Sequence, residues 1–396
     1  MANLNETPSG ERARIGFFGV RNAGKSSVVN AVTGQDLAIV SDTLGTTTDT
    51  VVKSMELLPA GPVTIVDTPG IDDAGELGQL RVRAAKRALR NCDVGVLVVD
   101  VTRGLQPADE ELIAEFSARA VPYIIALNKC DLLDSMDAAT SNDNALLVSA
   151  VTGAGIHELK ERIAVLAKEH GTTKRLIGDL IEPGDVVVLV MPIDGSAPKG
   201  RIILPQQMAI RDILDTHATA FVCQPDELAG TLAALKSPPQ LVVTDSQAFE
   251  QVAAIVPRDI PLTSFSILMM RYKGELESSL HDAAALSQLH AGQRVLICEG
   301  CTHHRQCGDI GTVKMPAWIR AHCGQNADFA FTSGGEFPDD LSDFACVVHC
   351  GGCMLNEREM AHRMEVARQA DVPFVNYGMA IAQIHGILDR AMEPFE

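Results

Sequence analysis

Residues 19–26, Gly-Val-Arg-Asn-Ala-Gly-Lys-Ser, follow the apolar run Arg14-Ile-Gly-Phe-Phe and lead into the helix-like Ser-Val-Val-Asn-Ala-Val-Thr-Gly. A buried strand, a glycine turn and a helix in that order form the setting in which this spacing binds phosphate. Gly19 and Gly24 let the backbone curl so that its N–H groups face an anion, and the helix N-terminus adds partial positive charge. The predicted cradle comprises Gly19, Asn22, Ala23, Gly24, Lys25, Ser26 and Ser27. Lys25 is placed to reach the β and γ phosphates, and the Ser26 hydroxyl to coordinate Mg²⁺. Such a loop demands an α/β fold. Composition agrees: apolar residues make up 46% and aromatics only 4%, so the cores are aliphatic, as parallel sheets require.

Three further elements follow in order. Val63-Thr-Ile-Val-Asp67-Thr-Pro-Gly70 ends a strand on a carboxylate able to hold Mg²⁺ through water, and Gly70 offers an N–H to the γ-phosphate. Asn128-Lys129-Cys130-Asp131 follows an apolar strand. The Asp131 carboxylate can accept hydrogen bonds from the N1–H and N2–H₂ edge of guanine, which adenine lacks, so the expected nucleotide is GTP. Ser149-Ala150 supplies a backbone contact to the guanine oxygen. Between Ser26 and Asp67, the threonine run at Thr46 and Thr47 is the expected switch loop. Thr47 is the first choice for Mg²⁺ when the γ-phosphate is present, with Thr46 close behind.

Residues of about 12–170 resemble GTPases of the TrmE-Era-EngA group. The resemblance implies that Asn22 helps hold K⁺ near the phosphates, where the cation takes the part of an arginine finger. Ile71 follows Gly70 and cannot orient a water. Hydrolysis is then expected to be slow unaided and stimulated by K⁺, with Lys25, Thr47, Gly70 and Asn22 as its catalytic set.

The chain carries a formal charge of -18, from 51 acidic against 33 basic residues, with no dense basic run. Nucleic acid is therefore a poor expected partner. No stretch reaches the roughly 18 apolar residues of a membrane span, and the polar first residues lack an export signal. A soluble, cytoplasmic protein with no membrane partner is expected, and its ten cysteines stay reduced and available to metal.

Beyond residue 172 the pattern alternates strand and helix twice over, giving an expected three-domain α/β chain divided as 1–172, 173–264 and 265–396. The middle segment shows no catalytic constellation and reads as a self-association module. In the last segment, strands are expected at 294–298, 329–332, 345–349 and 373–377, with helices over 355–370 and 379–392. Seven of the ten cysteines fall after residue 297. Cys298-Glu-Gly-Cys301-Thr-His303-His304 follows one strand and His349-Cys350-Gly-Gly-Cys353 another, at the strand ends where open α/β sheets bind ligands.

Three readings of these residues stand side by side. Cys298, Cys301, Cys350 and Cys353 could close a tetrahedral zinc site. Cys301, Cys350 and Cys353 could hold three irons of a cubane. Cys350 and Cys353 could form a redox dithiol. Cys301-x-His303, then His349-Cys350-x₂-Cys353, joined to this GTPase and a featureless middle segment, resembles the HydF family of FeFe-hydrogenase maturation GTPases. The resemblance implies a 4Fe-4S cluster on Cys301, Cys350 and Cys353, with His303 and His349 as labile ligands or hydrogen-bond donors. It further implies a transient two-iron precursor, a homodimer formed by the middle segment, and as partners the radical-SAM maturases HydE and HydG and the apo FeFe-hydrogenase. The competing expectation is an RNA-directed Era- or TrmE-like GTPase with a structural zinc site.

Overall fold

The computed structural model describes residues 10–35, 51–71, 76–133, 144–169, 174–193, 202–274, 276–301, 309–324 and 326–396. The chain divides into two compact units, Met1–Thr172 and Thr173–Glu396.

The first unit holds strands β1 (Ala13–Phe18), β2 (Val51–Leu57), β3 (Gly61–Asp67), β4 (Val94–Asp100), β5 (Tyr123–Asn128) and β6 (Ala145–Leu147). They form one sheet in the order β2-β3-β1-β4-β5-β6, parallel except for β2. Helices Lys25–Thr33, Glu76–Arg90, Pro107–Ala118 and Ile156–Glu169 connect the strands. Every residue of β4 is buried, because a central parallel strand is covered on both faces. Alternation sorts its side chains: Val94, Val96 and Val98 pack with Ile15, Phe17 and Leu159, while Leu97 and Val99 pack with Phe18 and Phe116. The parallel arrangement brings the carboxyl ends of β1, β3 and β5 to one edge.

The second unit contains two four-stranded, wholly parallel sheets. One runs β10-β9-β7-β8, from β7 (Val186–Val190), β8 (Thr219–Cys223), β9 (Leu241–Thr244) and β10 (Leu262–Ser264). The other runs β12-β11-β13-β14, from β11 (Arg294–Glu299), β12 (Asp328–Ser333), β13 (Cys346–His349) and β14 (Phe374–Asn376). One apolar cluster spans both, joining Val188, Val242 and Phe249 to Val295, Ile297, Val348 and Met379. The two sheets therefore bury their apolar faces in a shared core.

The helix expected over 379–392 is two helices, Tyr377–Ile384 and Leu388–Met392. Gly386, at φ +68°, takes the left-handed turn that ends the first, and the Ile387 N–H closes it onto Ala382 O at 2.9 Å. The break turns Arg390 into the core. Its guanidinium donates to Ala253 O (3.0 Å), Val256 O (2.8 Å) and Pro257 O (2.6 Å), satisfying carbonyls at and beyond the C-terminal end of the helix Phe249–Ile255. Replacing Arg390 with Ala leaves those carbonyls buried and unpaired. The second unit is expected to lose roughly 3 kcal/mol of stability, read as a lowered denaturation midpoint with GTP hydrolysis unchanged.

Candidate functional site: a nucleotide cradle and a thiol cluster

In the first unit, Gly19 sits at φ +139°, and a Cβ there would stand 2.2 Å from Val98 O. At Gly24, φ +88°, it would meet Asn128 Nδ2 at 2.3 Å. Both positions admit only glycine, so the loop is drawn tight between β1 and the helix Lys25–Thr33. The Lys25 ammonium donates to Gly19 O and Val20 O, both at 3.1 Å, which holds it at the curl of the loop. The Ser26 hydroxyl donates to Asp67 Oδ2 at 3.2 Å, joining the end of β3 to the start of the helix. Asp67 is buried and its Oδ1 has no hydrogen-bond partner among the described residues. Burial raises its pKa, opposed by Lys25 and Ser26. A hydroxyl, a carboxylate and an orphaned buried oxygen together suit a hard divalent cation, so Ser26 and Asp67 fit Mg²⁺. Gly70 is pressed against Arg21, whose Cα would lie 3.0 Å from an added Cβ.

One side chain fastens the base end to the phosphate end. Asn128 Nδ2 donates to Ala23 O at 3.0 Å, and its Oδ1 accepts the Ala150 N–H at 3.1 Å. Lys129, at φ +68°, donates to Asn22 O (3.0 Å) and pairs with Asp100 Oδ2 (2.5 Å). Burial alone would raise the Asp100 pKa; hydrogen bonds from Lys129 and Thr102 overcome it and hold the carboxyl below its ordinary range. Asn22 adopts φ +62°, a left-handed conformation that Asn tolerates. Asp131 is exposed in the turn Cys130–Leu132, and the Ser149 hydroxyl accepts the Thr152 N–H, closing the loop that carries Ala150. Ser27 lies in the first turn of the helix. Thr46 and Thr47 lie outside the described residues.

In the second unit, Cys350 follows β13 and Cys301 lies just past β11. The Cys350 N–H donates to Cys298 O at 2.9 Å, continuing the sheet ladder to the edge of the loop. Its sulfur then accepts the Gly300 N–H at 3.0 Å and the Gly352 N–H at 3.4 Å. Gly352 sits at φ +62°, and a Cβ there would strike Met360 Sδ at 2.5 Å. Burial is the main cause of raised thiol pKa values here, pushing Cys353 up to about 12, with the neighbouring Cys350 and Cys301 next. Cys350 is raised for the same first reason, while the N–H groups of Gly300 and Gly352 oppose the rise. Cys301, Cys350 and Cys353 thus lie near enough to act on one another, although among the described residues no three His, Cys, Asp or Glu side chains form a group that could hold a metal ion.

Cys298 is close enough to Cys350 to feel its charge but faces the other side of the sheet. It packs with Leu296, Val347 and Met270, whereas Cys350 packs on the cluster containing Val295, Ile297 and Val348. Successive strand residues face opposite sides of the sheet, and the Cys298 sulfur accepts the Thr332 hydroxyl at 3.2 Å in the core. Cys346 is likewise wholly buried. Three thiols, amide N–H groups aimed at sulfur and a fourth thiol withheld by the sheet form a donor set that fits an iron-sulfur cluster with one open position better than a Cys₄ zinc site.

His303 lies outside the described residues. His349 is wholly buried, and both ring nitrogens are engaged: Nδ1 with Cys350 O at 2.6 Å, Nε2 with the Arg363 guanidinium at 3.0 Å. Burial first, then Arg363, pulls its pKa down to about 3, so the ring is neutral, donating through Nδ1 and accepting at Nε2. So placed, the ring braces the Cys350 backbone and has no lone pair left for a metal. Arg363 is itself wholly buried, pairing with Glu359 (2.8 Å), donating to Gly334 O (2.7 Å) and lying over the Phe337 ring. Lys273, also buried, donates to Gly352 O (3.3 Å), Cys353 O (3.2 Å) and Leu355 O. Tyr377, whose phenol is raised well above its ordinary value by burial and then by Cys350 and Glu299, borders the same place. Sequence reasoning found the thiols and passed over Lys273, Arg363 and Tyr377. Arg363 could have been found as a charged residue on the apolar face of its helix; for Lys273 and Tyr377 the sequence carries no such signal.

Comparison with known proteins covers three stretches. A family model described as "50S ribosome-binding GTPase" matches residues 14–129, "Hydrogen maturase F dimerization domain" matches 176–274, and "Hydrogen maturase F tetramerization domain" matches 277–394. The tRNA modification GTPase MnmE of Xanthomonas oryzae pv. oryzae (strain PXO99A) is 37% identical over 174 residues, covering 42% of this chain and 38% of that protein. MnmE of Synechococcus sp. (strain JA-3-3Ab) is 39% identical over 161 residues, covering 39% and 34%. The chain thus spans under two fifths of the length of these relatives. A crystal structure of Aquifex aeolicus Era matches at 20% identity and TM-score 0.36, over 54% of this chain and 93% of that one. No helix among the described residues is long and apolar enough to cross a membrane. With both hydrogen-maturase domains matched in succession after a P-loop GTPase domain, the chain belongs to the HydF family.

Proposed function

We propose that this protein is a GTP-hydrolysing scaffold of FeFe-hydrogenase maturation that holds a 4Fe-4S cluster on Cys301, Cys350 and Cys353. The observation that carries this reading is the meeting of those thiols at the ends of β11 and β13, with the Gly300 and Gly352 N–H groups on the Cys350 sulfur. A cluster held by three thiolates supplies an iron whose remaining ligand can exchange, the chemistry suited to assembling or carrying a two-iron precursor. The residues around it position and shield: His349 braces the Cys350 carbonyl, Lys273 ties down the carbonyls of Gly352, Cys353 and Leu355, and Arg363 joins Gly334 to His349. HydE, HydG and the apo-hydrogenase are the partners this reading names.

Self-association belongs to the same reading. β8 is an edge strand of its sheet and exposes Phe221 and Val222, apolar side chains beside unpaired strand edge that a second copy could cover. In the GTPase domain, Lys25 and the cradle N–H groups bind phosphate, Ser26 and Asp67 hold Mg²⁺, and Asp131 selects guanine. The N–H of Gly70 senses the γ-phosphate, and Thr47 completes the Mg²⁺ shell. The RNA-directed alternative finds less support: the MnmE likeness covers only 42% of the chain, and the charge of -18 opposes a phosphate backbone.

Anaerobic reconstitution tests the proposal. Wild-type protein is expected to bind iron and sulfide, and Cys301→Ala to lose them while GTP hydrolysis persists; a protein that takes up only zinc sinks the reading. Potassium is the second test. If Asn22 helps hold K⁺, exchange of K⁺ for Na⁺ slows hydrolysis on the order of tenfold or more, and Asn22→Ala abolishes the difference between the two salts.

The thiol pKa values give a third test. Because burial raises Cys350 and Cys353 in the folded chain, both are protonated at neutral pH, and thiolate ligation must displace those protons. Cluster loading against a fixed chelator is therefore expected to strengthen as pH rises from about 7 to about 9. A flat profile would contradict thiolate ligation.

A further inference from the structure

Two buried hydrogen-bond donors beside the thiols have no partner among the described residues. Asn376 ends β14, opposite His349 in the sheet register, and is 1% exposed. Its Oδ1 accepts the Gly378 N–H at 2.7 Å and the Ser266 hydroxyl at 2.9 Å. A backbone N–H can only donate, so the amide cannot be flipped, and Nδ2 is the end left over. It makes no hydrogen bond among the described residues. Tyr377 comes next and is 8% exposed, and its hydroxyl is also without a partner among the described residues.

Both donors border the thiol loop. Ser266, which fixes Asn376, lies against Gly351: a Cβ on that glycine would stand 3.5 Å from Ser266 Oγ. The Tyr377 hydroxyl and Glu299 Oε1 would each stand 2.5 Å from a Cβ on Gly311, so the absence of a side chain there leaves room for them. Tyr377 packs in the same apolar cluster against which Cys350 rests, on the opposite side of the sheet from Cys298. A buried donor without a partner is disfavoured, and native structures keep few of them without a ligand, ion or water to receive the hydrogen bond. Two on successive residues, at the carboxyl end of a parallel strand, point to an acceptor supplied from outside the chain.

We propose that Asn376 Nδ2 and the Tyr377 hydroxyl donate hydrogen bonds to the anionic, sulfur-rich group that Cys301, Cys350 and Cys353 hold, an inference that rests on the cluster reading above. Donors of this kind stabilise the more negative, reduced form of a cluster and so raise its reduction potential. Asn376 and Tyr377 are then tuning residues: they ligate no iron, and they set how readily the bound group accepts an electron.

The test compares wild type, Tyr377→Phe and Asn376→Ala, each with and without cluster. In reconstituted protein, EPR-monitored titration is expected to show a more negative midpoint potential in both variants, with GTP hydrolysis unchanged. Without cluster, Tyr377→Phe is expected to melt at or above the wild-type temperature, because it removes a hydroxyl that bonds nothing among the described residues. Asn376→Ala melts lower, since the Gly378 and Ser266 contacts are structural. Unaltered potentials in both loaded variants overturn the proposal. So does a lowered melting temperature of cluster-free Tyr377→Phe, which would reveal a protein partner for the hydroxyl. If wild type binds no iron and sulfide, the maturation reading itself falls and takes the inference with it. That outcome is distinguished from the others by the metal content alone.

Discussion

A fully buried parallel strand must leave its sheet with its last peptide groups satisfied, and this chain meets that demand with residues that border its candidate sites. At the end of β5 the Asn128 side chain bridges Ala23 O and the Ala150 N–H, so one amide both closes the sheet edge and sets the distance between phosphate cradle and base loop. At the end of β13 the Cys350 N–H completes the ladder onto Cys298 O, while its sulfur receives the N–H groups of Gly300 and Gly352. At the end of β14 Asn376 caps the following helix through its Oδ1. Asn128 is structural through both atoms of its amide, whereas Cys350 and Asn376 are structural through one atom and keep another for the ligand proposed above.

The same economy governs the two buried cations. A buried ammonium or guanidinium is costly unless its hydrogens are taken up. Lys273 delivers its hydrogens to three successive-turn carbonyls of the thiol loop, and Arg363 distributes its own among Glu359, His349 and Gly334 O. Their placement fixes the loop and also leaves positive charge beside sulfur: Lys273 lowers the pKa of Cys353, and Arg363 that of Cys350, against the larger effect of burial. The loop glycines are the counterpart, since a side chain on Gly300 would meet Leu355 and Gly352.

Much of this was legible in the sequence, for a physical reason. A phosphate loop is made of contiguous residues whose order is its geometry, so Gly19, Gly24, Lys25 and Ser26 could be read directly, as could the strand-terminal Asp67 and Asn128. The four strands of the last sheet were legible because buried parallel strands are short apolar runs bounded by turns. What escaped was set by tertiary contact. Lys273 lies some eighty residues before the carbonyls it holds. The break at Gly386 was masked by a helical pattern that continues on both sides of it. His349 could be read from its place beside Cys350 as a ligand or as a hydrogen-bond donor; only the fold reveals Arg363 on its other nitrogen. Thr46, Thr47 and His303 fall outside the described residues.

Cys298 shows how one residue's parity decides between two chemistries. In sequence it stands three residues before Cys301, the spacing of a knuckle, and with Cys350 and Cys353 it would complete a closed tetrahedral set. The strand β11 runs to Glu299, so Cys298 is still inside the ladder, and the two-residue period of a strand sends its side chain to the face occupied by Leu296 and Val347. Burial pushes its thiol up to about 12, and its sulfur is spent as an acceptor for Thr332. Cys301, beyond the strand, escapes that alternation. A strand one residue longer than the knuckle would need thus subtracts one thiol from the set and leaves the three on which the proposed cluster rests.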